Sequence, residues 1–212
     1  MLTLEALRDG DTFEGATIEE LEAPGFDLSG KDFCRCVFRR AKLPESRWRG
    51  ARLEECVFEE CDLTRFVPSD LRAHDVVFRT CKLLGVEWTS ASQNPDVKFE
   101  DCVLRYASFV GTNLRGVRFV RSQITEANFL DTDLSGADFT GSDLTGTTFS
   151  GATLARADLT TATGAYFDPA KNRVKDARIA VETAALIASS LGMKVAGYAY
   201  AARSAPGRVK PR

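Results

Sequence analysis

The cysteines and the single histidine are the residues of this chain that could support a metal site, a disulfide or a nucleophile. Outside the repeated positions described below, no Cys or His pair has the short spacing of a zinc site, so no metal or other cofactor is expected. A Ser, His and acid triad would have to use His74, and the sequence has no Gly-rich phosphate loop, so it does not predict an enzyme. Five of the six cysteines fall into two series with spacings of twenty or twenty-one residues: Cys36 and Cys56, then Cys61, Cys81 and Cys102.

The segment that must position such residues has a period of five. From Ala127 to Leu159 a large apolar residue returns at every fifth position, and a small residue stands two positions before each. Neither the helical spacing of three and four nor the alternation of a strand explains this period. The pattern predicts a coil that turns a corner once per repeat, with one bulky and one small residue pointing inward on each side. The repeated cysteines occupy the small inward position, where a thiol packs as a small hydrophobe.

Twenty residues then make one four-sided coil, and residues one coil apart should lie about 4.8 Å apart. Phenylalanine and leucine separate onto neighbouring sides under this register, which supports it. One side stacks Phe38, Phe58, Phe78, Phe99, Phe119 and Phe139, and the next stacks Leu43, Leu63, Leu83, Leu104, Ile124 and Leu144.

The period can be followed back to Phe13, with two interruptions. After Leu63 the bulky positions fall to Pro68 and Ala73, and Trp88 is followed by the next bulky residue after eleven positions instead of ten. We therefore expect loops at about 66–75 and 89–98, the second with one extra residue. Both interruptions fall at the same corner on consecutive coils, so the two loops are predicted to touch.

The chain ends differ from the coil in composition. Residues 1–167 carry 19 basic against 27 acidic residues, a balance of −8, whereas residues 168–212 carry 9 against 3, a balance of +6. We expect an N-terminal cap at 1–12, the coil at 13–163, a helix from Val174 to Leu191 within a C-terminal segment at 164–202, and a basic, disordered tail at 203–212. Without a run of transmembrane length or a secretory pattern at its start, the chain is expected in the cytoplasm and not in a membrane.

The acidic residues of the clearest repeats suggest a charged surface. Residues 126–165 contain six acids and one base, a density that repels DNA and attracts proteins that hold DNA. The predicted anionic face consists of Asp131, Asp133, Asp138, Asp143 and Asp158.

The five-residue period resembles the pentapeptide-repeat family, whose all-β fold is a right-handed quadrilateral β-helix. Over residues 13–192 the chain is similar to the topoisomerase-protecting group of that family, which includes the Qnr, MfpA, McbG and AlbG proteins. The similar features are the alternation of Phe and Leu, the inward cysteines, the single-residue register break and the segment from Tyr166 to Arg178 that leads into a helix.

This resemblance implies a partner, DNA gyrase or topoisomerase IV, protected from a quinolone or a natural-product toxin as a resistance or self-immunity factor. It implies topoisomerase contacts in the two loops, at Phe66, Pro68, Ser69, Asp70, Arg72, His74, Thr89, Ser90, Ser92, Gln93, Asn94, Pro95 and Asp96. It also implies a homodimer through the C-terminal segment, at Ile179, Val181, Leu186, Ile187, Leu191, Met193, Val195, Tyr198 and Tyr200. The alternative is a non-enzymatic scaffold for an unrelated protein. Direct nucleic-acid binding through the basic tail is less favoured than either, and an enzyme is the least favoured interpretation.

Overall fold

The computed structural model describes residues 2–92, 94–196 and 198 of the 212-residue chain. Helix α1 (Leu4–Asp9) precedes the coil, helix α2 (Val181–Ser190) follows it, and a single 3-10 turn covers Trp88–Ser90. No helix in these residues is long and apolar enough to cross a membrane. The strands are β1 (Thr12–Glu14), β2 (Thr17–Glu19), β3 (Asp32–Cys34), β4 (Val37–Arg39), β5 (Arg52–Glu54), β6 (Val57–Glu59), β7 (Arg72–His74), β8 (Val76–Arg79), β9 (Val97–Glu100), β10 (Arg118–Val120), β11 (Asp158–Leu159) and β12 (Arg178–Ile179).

These elements form a quadrilateral β-helix of about eight turns, which confirms the predicted fold class. Strands pair in parallel with the strand one coil away, in the orders β1-β3-β5-β7 and β2-β4-β6-β8-β9-β10, and β11 pairs with β12. Parallel bridges join the other two sides. We name the sides after the buried residues Phe38, Leu43, Trp48 and Leu53. A left-handed residue such as Glu55, with a φ of 51°, recurs at the corners, because the chain must change direction within two residues there.

The core is a set of stacked side chains, because the inward positions of successive coils superimpose. Along the Phe38 side the ring centroids of successive phenylalanines lie 4.4 to 5.4 Å apart, from Phe38 to Phe139. The predicted sorting of phenylalanine is thus confirmed. Five cysteines are buried at inward positions as expected, and each thiol donates to a backbone carbonyl in the preceding coil: Cys36, Cys56, Cys61, Cys81 and Cys102.

The predicted loop at 66–75 is wrong, because these residues form regular coil that includes β7. The five-residue pattern is hard to recognise here because large residues occupy the small inward positions and smaller residues occupy the bulky ones. Phe66 fills the small position beside Pro68, and Leu71 fills the small position beside Ala73, so each side keeps its volume. The Phe66 ring contacts tryptophans in the coils on both sides of it, at centroid distances of 6.4 and 5.5 Å.

The second departure and its extra residue are confirmed. Val76 pairs with Val97 and Phe78 with Phe99, a register of twenty-one, whereas the strands below pair at twenty. The chain leaves the repeat only at about 89–96, because β9 has already resumed at Val97. This segment is called the 89–96 loop below.

Both ends of the coil are covered by short helices. Leu7 of α1 is fully buried against the first coil, and Thr3 caps the helix by accepting a bond from the amide of Ala6. At the other end the coil continues beyond residue 163, since β12 pairs in register with β11. Helix α2 therefore begins at Val181 and not at Val174 as expected.

Candidate protein-binding site

The 89–96 loop is held on the coil below it by backbone hydrogen bonds. The amide of Asp70 donates to the carbonyl of Ser90 at 2.7 Å, and the amide of Ser92 donates to that of Leu71 at 3.0 Å. Trp88 enters the core as the loop begins. The predicted contact between the segments 66–75 and 89–98 is therefore present, although only the second is a loop.

Charged side chains fix the far end of the loop. The amide of Asp75 donates to the Asp96 carboxylate at 3.1 Å, and Lys98 Nζ donates to Asp75 Oδ1 at 2.6 Å. His74 Nδ1 lies 3.6 Å from Asp96 Oδ2. The hydrogen bond from Lys98 lowers the pKa of Asp75, and the same bond raises the pKa of Lys98. Both groups therefore remain charged at neutral pH, and the hydrogen bonds of Asp75 hold the end of the loop against the coil.

The predicted contact residues fall into two groups. Phe66, Pro68 and Pro95 are buried and cannot contact a partner, which corrects their assignment as contacts. Gln93 lies outside the described residues. The others have accessible side chains along the Leu53 side of the coil and its corners: Ser69, Asp70, Arg72, His74, Thr89, Ser90, Ser92, Asn94 and Asp96.

The predicted anionic face does not exist as one surface. Asp138 and Asp158 lie on the Phe38 side, whereas Asp133 and Asp143 lie on the Leu53 and Leu43 sides and Asp131 occupies a corner. Three of the five carboxylates form ion pairs with arginines outside the repeat segment used for counting: Asp133 with Arg115, Asp138 with Arg118 and Asp158 with Arg178, at 3.2, 3.8 and 2.9 Å. A local charge count missed these partners because they are contributed by the neighbouring coil.

Three of the predicted dimer residues line a groove of about 350 Å³ between α2 and the last coil. Ile179, Ile187 and Met193 line it, and Leu186 is half-buried. Val181, Leu191 and Val195 are exposed, Tyr198 is half-buried, and Tyr200 lies outside the described residues.

The Cys81 thiol is buried between two other inward cysteines. Hydrogen bonds with the thiols of Cys102 and Cys61, together with burial, raise the pKa of Cys81, so this thiol stays neutral. Cys34 is half-buried. Within residues 2–92, 94–196 and 198 there is no cluster of His, Cys, Asp or Glu that could hold a metal ion.

A sequence model described as "Pentapeptide repeat region" matches residues 31–109 and 95–159. No curated protein matches. Among solved structures, two trypsin-treated variants of QnrB1, a plasmid-mediated fluoroquinolone resistance protein, are 23% and 25% identical to the chain. They cover 87% and 88% of this chain and 97% and 92% of their own, with TM-scores of 0.48 and 0.46.

A third structure is HetL, a pentapeptide repeat protein involved in heterocyst differentiation regulation in the cyanobacterium Nostoc sp. strain PCC 7120. It is 19% identical, covers 81% of this chain and 90% of its own, and has a TM-score of 0.39. All three TM-scores are below 0.5, so no function is transferred from these structures.

Proposed function

The chain belongs to the pentapeptide-repeat family, and on that premise we propose that it binds a type II topoisomerase, DNA gyrase or topoisomerase IV, and protects it from a poison. The poison would be a quinolone or a natural-product toxin. The protein acts by binding and not as an enzyme. The sequence features that resemble the topoisomerase-protecting group are the reason for choosing this partner.

The 89–96 loop is the observation that supports this proposal most. It inserts one extra residue into the repeat, and it carries accessible polar side chains while backbone hydrogen bonds hold it on the coil below. Binding residues are commonly placed on loops that a rigid scaffold holds. The predicted anionic face is not assigned to the binding surface, because three of its five carboxylates form ion pairs with arginines.

The test is gyrase supercoiling of relaxed plasmid in the presence of a quinolone or a peptide toxin, with this protein added in a titration. The loop variant replaces Thr89–Lys98 by Val110–Arg118, the segment that connects the same two sides one coil later without the extra residue. This change removes the loop and restores the twenty-residue register, so the coil is expected to remain folded.

The matched control replaces Leu130–Asp138 by the same Val110–Arg118 segment, on the same side of the coil but two coils beyond the loop. It also removes Asp131, Asp133 and Asp138. We expect the wild type and the control to restore supercoiling and the loop variant to fail. If neither inhibitor is countered by the wild type at gyrase or at topoisomerase IV, the scaffold for an unrelated protein becomes the better interpretation. Loss in the control alone would assign the contact to the acidic coils instead.

A further inference from the structure

Charges on the Phe38 side alternate in register from coil to coil. Arg39, Glu59, Arg79 and Glu100 are successive strand partners, and their side chains are 2.9, 3.5 and 3.3 Å apart. Opposite charges directly across a sheet stabilise it, and like charges destabilise it. The charges of these four side chains therefore neutralise one another.

The Leu53 side departs from this rule. Arg52 of β5 and Arg72 of β7 are direct register partners. The Arg52 guanidinium reaches Asp32 at only 3.9 Å, and Arg72 has no ion-pair partner among the described residues. Both side chains are exposed. The structure shows no contact by which the pairing of these two arginines stabilises the coil.

Other like-charged register partners are compensated. Lys98 and Arg118 pair in register, but they form ion pairs with Asp75 and with Glu100 respectively.

The two aspartates that face each other are also compensated. Asp138 and Asp158 are bridge partners, and each lies within 4 Å of an arginine, at 3.8 and 2.9 Å. Among the like-charged partners in the described strands and bridges, Arg72 is the one side chain that stays without an ion pair.

A third arginine belongs to the same corner. Arg49 precedes the Gly50 turn that leads to Arg52, is exposed, and has no ion-pair partner among the described residues. A methyl group added at Gly50 would meet no atom within 4 Å, so a partner can approach the turn closely. The carboxylate of Asp70, at the turn above, lies within 4 Å of none of these guanidiniums.

We infer that this arginine corner (Arg49, Arg52 and Arg72) binds an acidic segment of a protein partner. Guanidinium groups bind carboxylates through paired, charge-assisted hydrogen bonds, and Arg49 and Arg72 are free to do so. A DNA duplex would extend beyond the corner and meet the acidic excess of residues 1–167. A short acidic segment engages only the corner. The inference applies to any protein partner, so it does not depend on topoisomerase protection.

The test uses fluorescence anisotropy with a labelled oligoglutamate peptide as the probe. The double variant Arg49→Gln/Arg72→Gln removes the two unpaired guanidiniums. Arg39→Gln/Arg79→Gln is the matched control, because it removes the same charge from the neutralised side. We expect the first variant to bind about tenfold more weakly and the control to bind as the wild type does. Raising the ionic strength from about 0.05 M to about 0.3 M should abolish binding.

Equal weakening in both variants would overturn the inference, since net charge alone would then explain binding. The absence of oligoglutamate binding by the wild type at low ionic strength would also overturn it. Tighter binding of a duplex oligonucleotide than of the peptide, lost in Arg49→Gln/Arg72→Gln, would assign the corner to nucleic acid instead.

Thermal unfolding tests independently whether Arg72 has a binding role or stabilises the coil. Arg72→Gln should unfold at the same or a higher temperature than the wild type, because it removes a repulsion. Arg79→Gln should unfold at a lower temperature, because it leaves Glu59 and Glu100 with one partner fewer. Destabilisation by Arg72→Gln comparable to that by Arg79→Gln would show a structural role and contradict a binding role.

Discussion

Two tryptophans at equivalent inward positions differ in one hydrogen bond. Trp48 Nε1 donates to Ser46 Oγ at 2.8 Å, whereas Trp88 Nε1 is buried without a partner. The residue that corresponds to Ser46 two coils later is Val86, which is also fully buried. Ser46 thus shows how a serine at the position of Val86 could accept a hydrogen bond from the Trp88 indole.

We predict that Val86→Ser will be tolerated far better than a buried Val→Ser change normally is. The new hydroxyl can accept from Trp88 Nε1, and a satisfied buried donor contributes about 1 kcal/mol. Val117→Ser, at a buried small position without a neighbouring tryptophan, is the matched control. The free energy of unfolding from urea titration should be higher for Val86→Ser by about 1 kcal/mol. Equal losses would show that the serine does not reach the indole.

At the scale of elements, the corner turns differ in the space around their left-handed residues. Gly30 and Gly164 have φ values of 72° and 66°. A methyl group at Gly30 would meet nothing within 4 Å, but one at Gly164 would lie 2.9 Å from the backbone nitrogen and Cα of Thr145. Gly164 is needed for close approach of coils as well as for its dihedral angle.

Gly30→Ala is therefore expected to lower the free energy of unfolding by about 1 kcal/mol, the cost of a left-handed alanine. Gly164→Ala should lower it at least twice as much, because the backbone of the preceding coil must also move. Urea titration of both variants measures the difference. Similar values would mean that the last coil shifts without cost.

The coil was predictable from the sequence, but two of its features were not. Periodicity revealed the fold because phenylalanine and leucine recur with the register of the coils. The exchange of Phe66 and Pro68 was missed because each inward position was considered separately, although packing depends on their summed volume. The start of α2 was misplaced because the short, partly buried strand β12 has no alternation to distinguish it from a helix.

The candidate site was predicted in part. The register break located the 89–96 loop, and its contact with the coil below followed from the four-sided folding. The ion pairs of the aspartates were missed because their partners lie about twenty residues away in the sequence. The same register could have revealed Arg52 opposite Arg72, since the two residues are twenty positions apart.

At the scale of the whole molecule, the coil should tolerate the loss of one complete turn. Deletion of residues 121–140 joins Val120 to Gly141 and leaves every remaining inward residue on its own side. Deletion of residues 121–125 is the control, because it shifts later residues by one side and places phenylalanine positions on the leucine stacks. We expect the first variant to keep its circular dichroism spectrum and cooperative unfolding and the second to lose stability. Equal behaviour would show that the coil does not depend on the sorting of its sides.

The twenty-residue register also means that the length of this molecule can change only in fixed steps of one turn. Each added or removed turn changes the separation between the 89–96 loop and helix α2 by about 4.8 Å, and it leaves the orientation of both ends about the long axis nearly unchanged. The distance between the loop and helix α2 can therefore change during evolution while their relative orientation is kept. Tandem duplication of a twenty-residue unit would give a family of spacers that present the same two ends at graded distances.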